Sequence, residues 1–138
     1  MYIQDLNLVK VFVGAMIYFV IGSLWYSPLL FANAWMKLVG LTKEKIGANK
    51  GNMGVMMGGT FLSNLVLSFV LSRFVDMAGY TSFIEGVMMG FWIWLGFVAT
   101  TMVPDYLYLR KSTKLFLITS GYHLVSLLVL GGLMAAWW

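Results

Sequence analysis

One histidine, His123, lies in a stretch of otherwise apolar and small residues running from about Leu115 to Trp138. Histidine is the side chain that changes charge between pH 5 and 8. Within an apolar segment it serves as a proton relay, as a ligand contact or as a hydrogen-bonding partner for a neighbouring helix. Thr119, His123 and Ser126 are spaced by four and three, which places them on one helical face. In another apolar stretch Asn64 has Thr60 and Ser68 one turn to either side. At about 1.5 Å of rise per residue, His123 lies roughly 12 Å inside its helix, and Asn64 shares that depth. A polar seam centred on Asn64 and His123 is therefore geometrically open. The plainer alternative is glue between helices, worth about 0.6 kcal/mol for each such hydrogen bond. Metal ligation is poor chemistry here, because the chain has no cysteine and no carboxylate at matching depth. No metal and no cofactor is expected.

Glu85 stands at the start of a third apolar stretch, with Trp92, Gly96 and Ala99 on roughly the same face. It can pair with Arg73 across a short loop, favour the positive end of its own helix, or act as a vestibule carboxylate that attracts cations. Asp105, next to Pro104 and the basic Arg110, Lys111 and Lys114, reads as solvated or N-capping. The sequence shows no HExxH, no Gly-x-Ser-x-Gly elbow, no Walker loop and no paired intramembrane carboxylates. Without cysteine, thiol catalysis and disulfides are excluded.

The elements that must position these groups follow from composition. Of 138 residues, 61% are apolar and 10% charged, where a globular protein has about 25% charged residues. Fifteen glycines fit close helix contacts in a bilayer. A crossing needs about 20 apolar residues, and four stretches qualify: 8–26, 53–74, 83–103 and 115–138. The expected fold is an all-α integral membrane bundle of four transmembrane helices, one domain over residues 1–138. No cleavable signal peptide is expected, since Asp5 precedes the first apolar run with no basic residue before it.

Lys37, Lys43, Lys45, Lys50, Arg110, Lys111 and Lys114 fall in the first and third connections, against Lys10 and Arg73 on the other side. That asymmetry puts those connections in the cytoplasm of a bacterial inner membrane and both termini outside. It also explains the net charge of +4 without nucleic acid. Trp25, Tyr26 and Trp35 at the inner level, and Trp137 and Trp138 at the outer level, are candidate interface anchors. Between the first two spans, Ser27-Pro28 reads as an N-cap followed by proline at the first helical position. Phe31, Trp35 and Leu38 recur at helical spacing, and Gly40 is a stop. Residues 28–39 are expected to form a short amphipathic helix on the inner leaflet, or one folded back on the bundle. The stretch from Thr42 to Asn52 is expected to be a mobile loop.

The pentapeptide GVMMG occurs twice, with Gly54 and Gly58 opening the second span and Gly86 and Gly90 the third. Gly14-Ala15-Met16 and the prolines at positions 28 and 104 suggest a parallel repeat, but the GVMMG copies do not fit it. Each copy reads as a separate small-xxx-small notch where another backbone approaches.

The segments WYSPLLFANAWMKLVGLT from Trp25, GFWIWLGFVATTMVPDYLY in the third span and LITSGYHLVSLLVLGGLMAAW in the fourth resemble the bacterial membrane family catalogued as domain of unknown function 1761. The resemblance covers nearly the whole chain. Position 32 is Ala where a close match has Gly. It implies a small four-helix integral membrane protein and no activity.

The leading expectation is a homo-oligomer, a dimer rather than a trimer, that is transporter- or channel-like, with the polar pathway at Asn64, His123 and Glu85. Its substrate or ion is unknown and its surroundings are the lipid bilayer. A membrane enzyme acting on a lipid-soluble aromatic, with His123 as acid/base and Trp92, Trp94 and Tyr122 as walls, is the alternative. A non-catalytic scaffold is a third.

Overall fold

A computed structural model describes residues 8–40 and 53–137. It is all-helical over those residues: α1 Leu8–Trp25, α2 Ala32–Val39, α3 Met53–Ala78, α4 Phe83–Tyr108 and α5 Thr113–Ala136. All but α2 are long and apolar enough to cross a membrane, at 18, 26, 26 and 24 residues. Lys43, Lys45, Lys50, Trp138 and the expected loop from Thr42 to Asn52 lie outside the described residues.

Helix ends differ from the hydropathy limits where polar residues continue a helix that apolar counting stops. α3 runs four residues past Phe74, through Asp76, to a turn at Gly79, whose φ of 70° suits glycine. α4 continues through Pro104 to Tyr108 and carries a π-helical turn, Trp94–Ala99. Proline removes a backbone donor, and a π turn loosens the carbonyl ladder. The hydroxyls take up part of that loss. Thr100 donates to the Gly96 carbonyl at 2.6 Å, and Thr101 to those of Phe97 and Val98 at 2.9 and 3.0 Å. Asp105 is therefore inside α4 and exposed, not at an N-cap.

α2 starts four residues later than the Ser27-Pro28 signal indicates. Ser27 is spent on closing α1, its hydroxyl donating to the Leu24 carbonyl at 2.7 Å. Its own carbonyl accepts from Leu30 and Ala32 in the intervening turn. Phe31 precedes α2 without a side-chain cap, and Gly40 ends it with a φ of 74°. The apolar side of this segment turns back on the bundle: Phe31 packs on Trp25 at 4.9 Å between centroids, and Trp35 edges onto Tyr26 at 5.6 Å.

α5 is the central helix, with α1 and α4 antiparallel to it. The core joins Tyr18, Leu71 and Val75 to Tyr122, Leu127, Leu130, Met134 and Ala135. Two indoles clasp α5 at neighbouring levels, Trp25 Nε1 donating to the Ile118 carbonyl at 2.9 Å and Trp94 Nε1 to that of Ser120 at 2.8 Å. Trp25 is thus a helix–helix contact as well as a residue at a span's end. Close approach of α4 and α5 depends on Gly86, Gly90 and Gly131. A Cβ on Gly86 would strike the Gly131 carbonyl oxygen, and one on Gly90 that of Leu127. Gly54 and Gly58, in contrast, have open space around them.

α4 begins with a capping box. The Ser82 hydroxyl accepts from the Glu85 N–H at 3.3 Å, while Glu85 Oε1 accepts from the Ser82 N–H at 3.2 Å and from its hydroxyl at 2.8 Å. Glu85 makes no pair with Arg73; Arg73 instead faces Asp76 at 3.9 Å, one turn along α3. Ser82→Ala should cost about 1 kcal/mol, read as an earlier midpoint when the purified chain is unfolded from mixed micelles by increasing SDS.

Candidate functional site

The buried polar side chains, apart from Ser120 on the α4-facing side of α5 with Leu127 and Gly131, gather between α1, α3 and α5. On α3, Thr60, Asn64, Ser68 and Ser72 recur every four residues and form one stripe. Asn64, Ser68 and Ser72 are buried, as are Lys10 on α1, Arg73 on α3 and Ser120 and Ser126 on α5. Lys10 and Arg73 lie near the ends of their helices remote from Arg110 and Lys111. There Lys10 Nζ donates to the Trp137 carbonyl at 3.5 Å, and Asp76 lies close enough to attract it.

Further in, Ser68 donates to the Val11 carbonyl at 2.7 Å. The helices touch at that level because residue 14 is glycine; a Cβ there would collide with the Ser68 hydroxyl. One turn along α3, the Asn64 amide nitrogen is buried with no hydrogen-bond partner, and so is the Ser126 hydroxyl on α5. An unpaired buried donor costs about 1–3 kcal/mol, so Asn64 on the stripe and Ser126 on α5 are the energetically costly members of this interior.

His123 turns toward α1. Its Nδ1 is 2.5 Å from the Tyr18 hydroxyl. With the ring proton on Nε2 the phenol donates and Nδ1 accepts; with the proton on Nδ1 the direction reverses. Tyr122 lies beside both, with its ring 5.3 Å from that of Tyr18 and 4.8 Å from the imidazole. Its hydroxyl donates to the Tyr18 carbonyl at 3.3 Å, in space kept clear by Gly22. Tyr26 continues the row, 5.6 Å from Tyr122, with the Thr119 side chain near its hydroxyl.

The row ends at a cavity of about 390 Å³ between α1 and α3, lined by Phe19, Ser23, Tyr26, Met57, Thr60 and Tyr122 among others. It exists because the first two turns of α3, Met53 to Thr60, stand away from the bundle and are exposed throughout. The Thr60 hydroxyl donates to its own helix at Met56, 2.8 Å away, so it faces the cavity as an acceptor.

The residues expected to form a seam are thus divided. Thr119, His123 and Ser126 do share the inward side of α5, and Asn64 lies on the facing stripe. Asn64 and His123 make no hydrogen bond to each other; the imidazole Nδ1 bonds Tyr18 instead. Glu85 is held in its cap. Trp92 is exposed and Trp94 is tied to the Ser120 carbonyl, so they build no common wall with Tyr122. Among the described residues no three of His, Cys, Asp and Glu converge as a metal site.

Tyr18, Ser72 and the buried cations carry weight that sequence reasoning did not give them, and Tyr122, expected as a wall, bonds the Tyr18 carbonyl. Tyr18 had one readable signal: a phenol mid-span must find a partner, and the lone histidine is the obvious one.

The class is therefore an all-helical membrane protein, four helices long and apolar enough to cross, with its polar interior shared by α1, α3 and α5. More particularly, the chain belongs to the family described as "Protein of unknown function (DUF1761)", whose model matches residues 9–135. No curated protein and no solved structure matches the chain.

Proposed function

We propose that the protein is transporter- or channel-like and moves protons, or a solute coupled to them, along the interface of α1, α3 and α5. The observation that carries this reading is the succession of buried polar side chains through that interface. From the cavity it runs past Tyr26 and Tyr122 to the Tyr18–His123 pair, then by Ser126 and Asn64 to Ser68, Ser72 and the Lys10–Arg73 end. Hydrogen-bond glue accounts for Ser68, which is satisfied by Val11. It gives no reason to bury the Asn64 amide and the Ser126 hydroxyl without partners. In this reading the end bearing Lys37, Arg110, Lys111 and Lys114 faces a bacterial cytoplasm and both termini lie outside.

Assembly into a homo-oligomer belongs to the same proposal, but on a changed basis. A single chain already buries Asn64 and most of His123, so no partner is needed to hide them from lipid. The support is the uncovered side of α3 at Gly54 and Gly58, where a second backbone can approach.

Asn64→Leu tests the pathway. Leucine matches the amide in shape and removes an unpaired donor, so stability should hold or rise. Proton flux into proteoliposomes under an imposed gradient, followed with an entrapped pH dye, should fall at least to a tenth of that of the unsubstituted chain. Unchanged flux would remove Asn64 from the path.

A further inference from the structure

We infer that the basic end binds an anionic diacyl phospholipid astride the first turns of α5, with one chain in each of two grooves and the phosphate between Lys111 and Lys114. One groove, about 150 Å³, lies where α4 meets α5 and is lined by Val103, Tyr106, Leu107, Phe116, Thr113 and Lys111. The other, about 230 Å³, lies on the neighbouring side of α5 and is lined by Trp25, Phe31, Leu117, Ile118 and Lys114. Both have apolar floors and one lysine each. On α5, Thr113 and Phe116 face the first while Lys114, Leu117 and Ile118 face the second, so a single ridge separates them.

Charge complementarity selects the occupant. Arg110, Lys111 and Lys114 lie within five positions, while Lys37, in the last turn of α2, lines neither groove. The one carboxylate near them along the chain is Asp105. The ligand must be anionic at its head and apolar below, which a phosphodiester lipid satisfies and a free phosphate does not. Lys111 is held at its groove by Tyr106, whose ring centroid is 5.0 Å from Nζ, and Tyr106 is braced by Phe116 at 5.4 Å. A lysine that only marks orientation needs no such placement. The inference is independent of what crosses the α1–α3–α5 interface.

The experiment is native mass spectrometry of the full chain with dioleoyl phosphatidylglycerol or dioleoyl phosphatidylcholine, each titrated into the same detergent. Phosphatidylglycerol should bind more tightly. Lys111→Gln with Lys114→Gln should weaken it about 25-fold, roughly fivefold per lysine, bringing it near phosphatidylcholine. Both lysines are exposed, so the double variant should keep the helical circular dichroism of the parent. Leu117→Trp, which obstructs a groove without touching charge, should also weaken binding, whereas Lys37→Gln should change it less than twofold. Equal retention of the two lipids, an effect of Lys37→Gln as large as that of the double variant, or equally strong binding of glycerol phosphate would overturn the lipid site.

Discussion

Gly86→Ala and Gly90→Ala will each destabilise the protein by about 1–3 kcal/mol, while Gly54→Ala and Gly58→Ala will leave it equally stable or up to about 1 kcal/mol more so. The four glycines come from two identical pentapeptides, so local sequence predicts one outcome for all. What separates them is the neighbour. At Gly86 and Gly90 a methyl group would meet the Gly131 and Leu127 carbonyls, and backbone held in a helix cannot step aside as a side-chain tip can. The helices must part, which also strains the contact of Phe83 with Gly132. At Gly54 and Gly58 nothing lies within 4 Å, and the gain in helix propensity from alanine stands alone. Midpoints of SDS unfolding measure the difference. Leucine at Gly58 then isolates association: it should preserve the fold and shift cross-linked species in detergent toward monomer. If it changes neither, the open side of α3 is no contact surface. If alanine at Gly90 is harmless, α4 and α5 do not approach as described.

The contrast also indicates what hydropathy and spacing can carry. Four apolar runs and their alternation were legible because the requirement for about 20 apolar residues acts on each helix separately. So was the shared side of Thr119, His123 and Ser126, which needs only helical periodicity. Which helix each of these faces was not legible. Shared depth placed Asn64 level with His123, yet the imidazole Nδ1 is bonded by Tyr18 on α1. Ser82 and Glu85 stand three apart before an apolar run, the sequence form of a capping box; the structure spends Glu85 there. Ser27-Pro28 carried the opposite lesson. A strong helix-start signal was overridden because the Ser27 hydroxyl already closes the preceding helix.

The Tyr18–His123 pair supplies the second large effect. Tyr18→Phe and His123→Ala should both reduce proton flux, and only the second should abolish its dependence on pH. The phenol and imidazole form a bond that survives protonation by reversing. A neutral ring protonated at Nε2 accepts at Nδ1 from the Tyr18 hydroxyl; the imidazolium donates from Nδ1–H to the same oxygen. A proton can therefore be taken up and released without breaking the contact between α1 and α5. Phenylalanine at position 18 keeps the ring that packs against Tyr122 and loses the oxygen. Both protonation states lose the bond, so the protonated population falls by the difference between a bond to a charged group and a neutral one, about 1 kcal/mol or about fivefold. Flux in Tyr18→Phe should fall by about that factor while still changing between pH 5 and 8, where histidine titrates. In His123→Ala it should fall to the background of empty liposomes at every pH. Tyr122→Phe is the internal comparison, since its hydroxyl reaches only the Tyr18 carbonyl at 3.3 Å and touches no titrating atom; its flux should stay within a few-fold of the parent. Parent-like flux in His123→Ala would end the proton-relay reading and leave the Tyr18–His123 bond as helix glue.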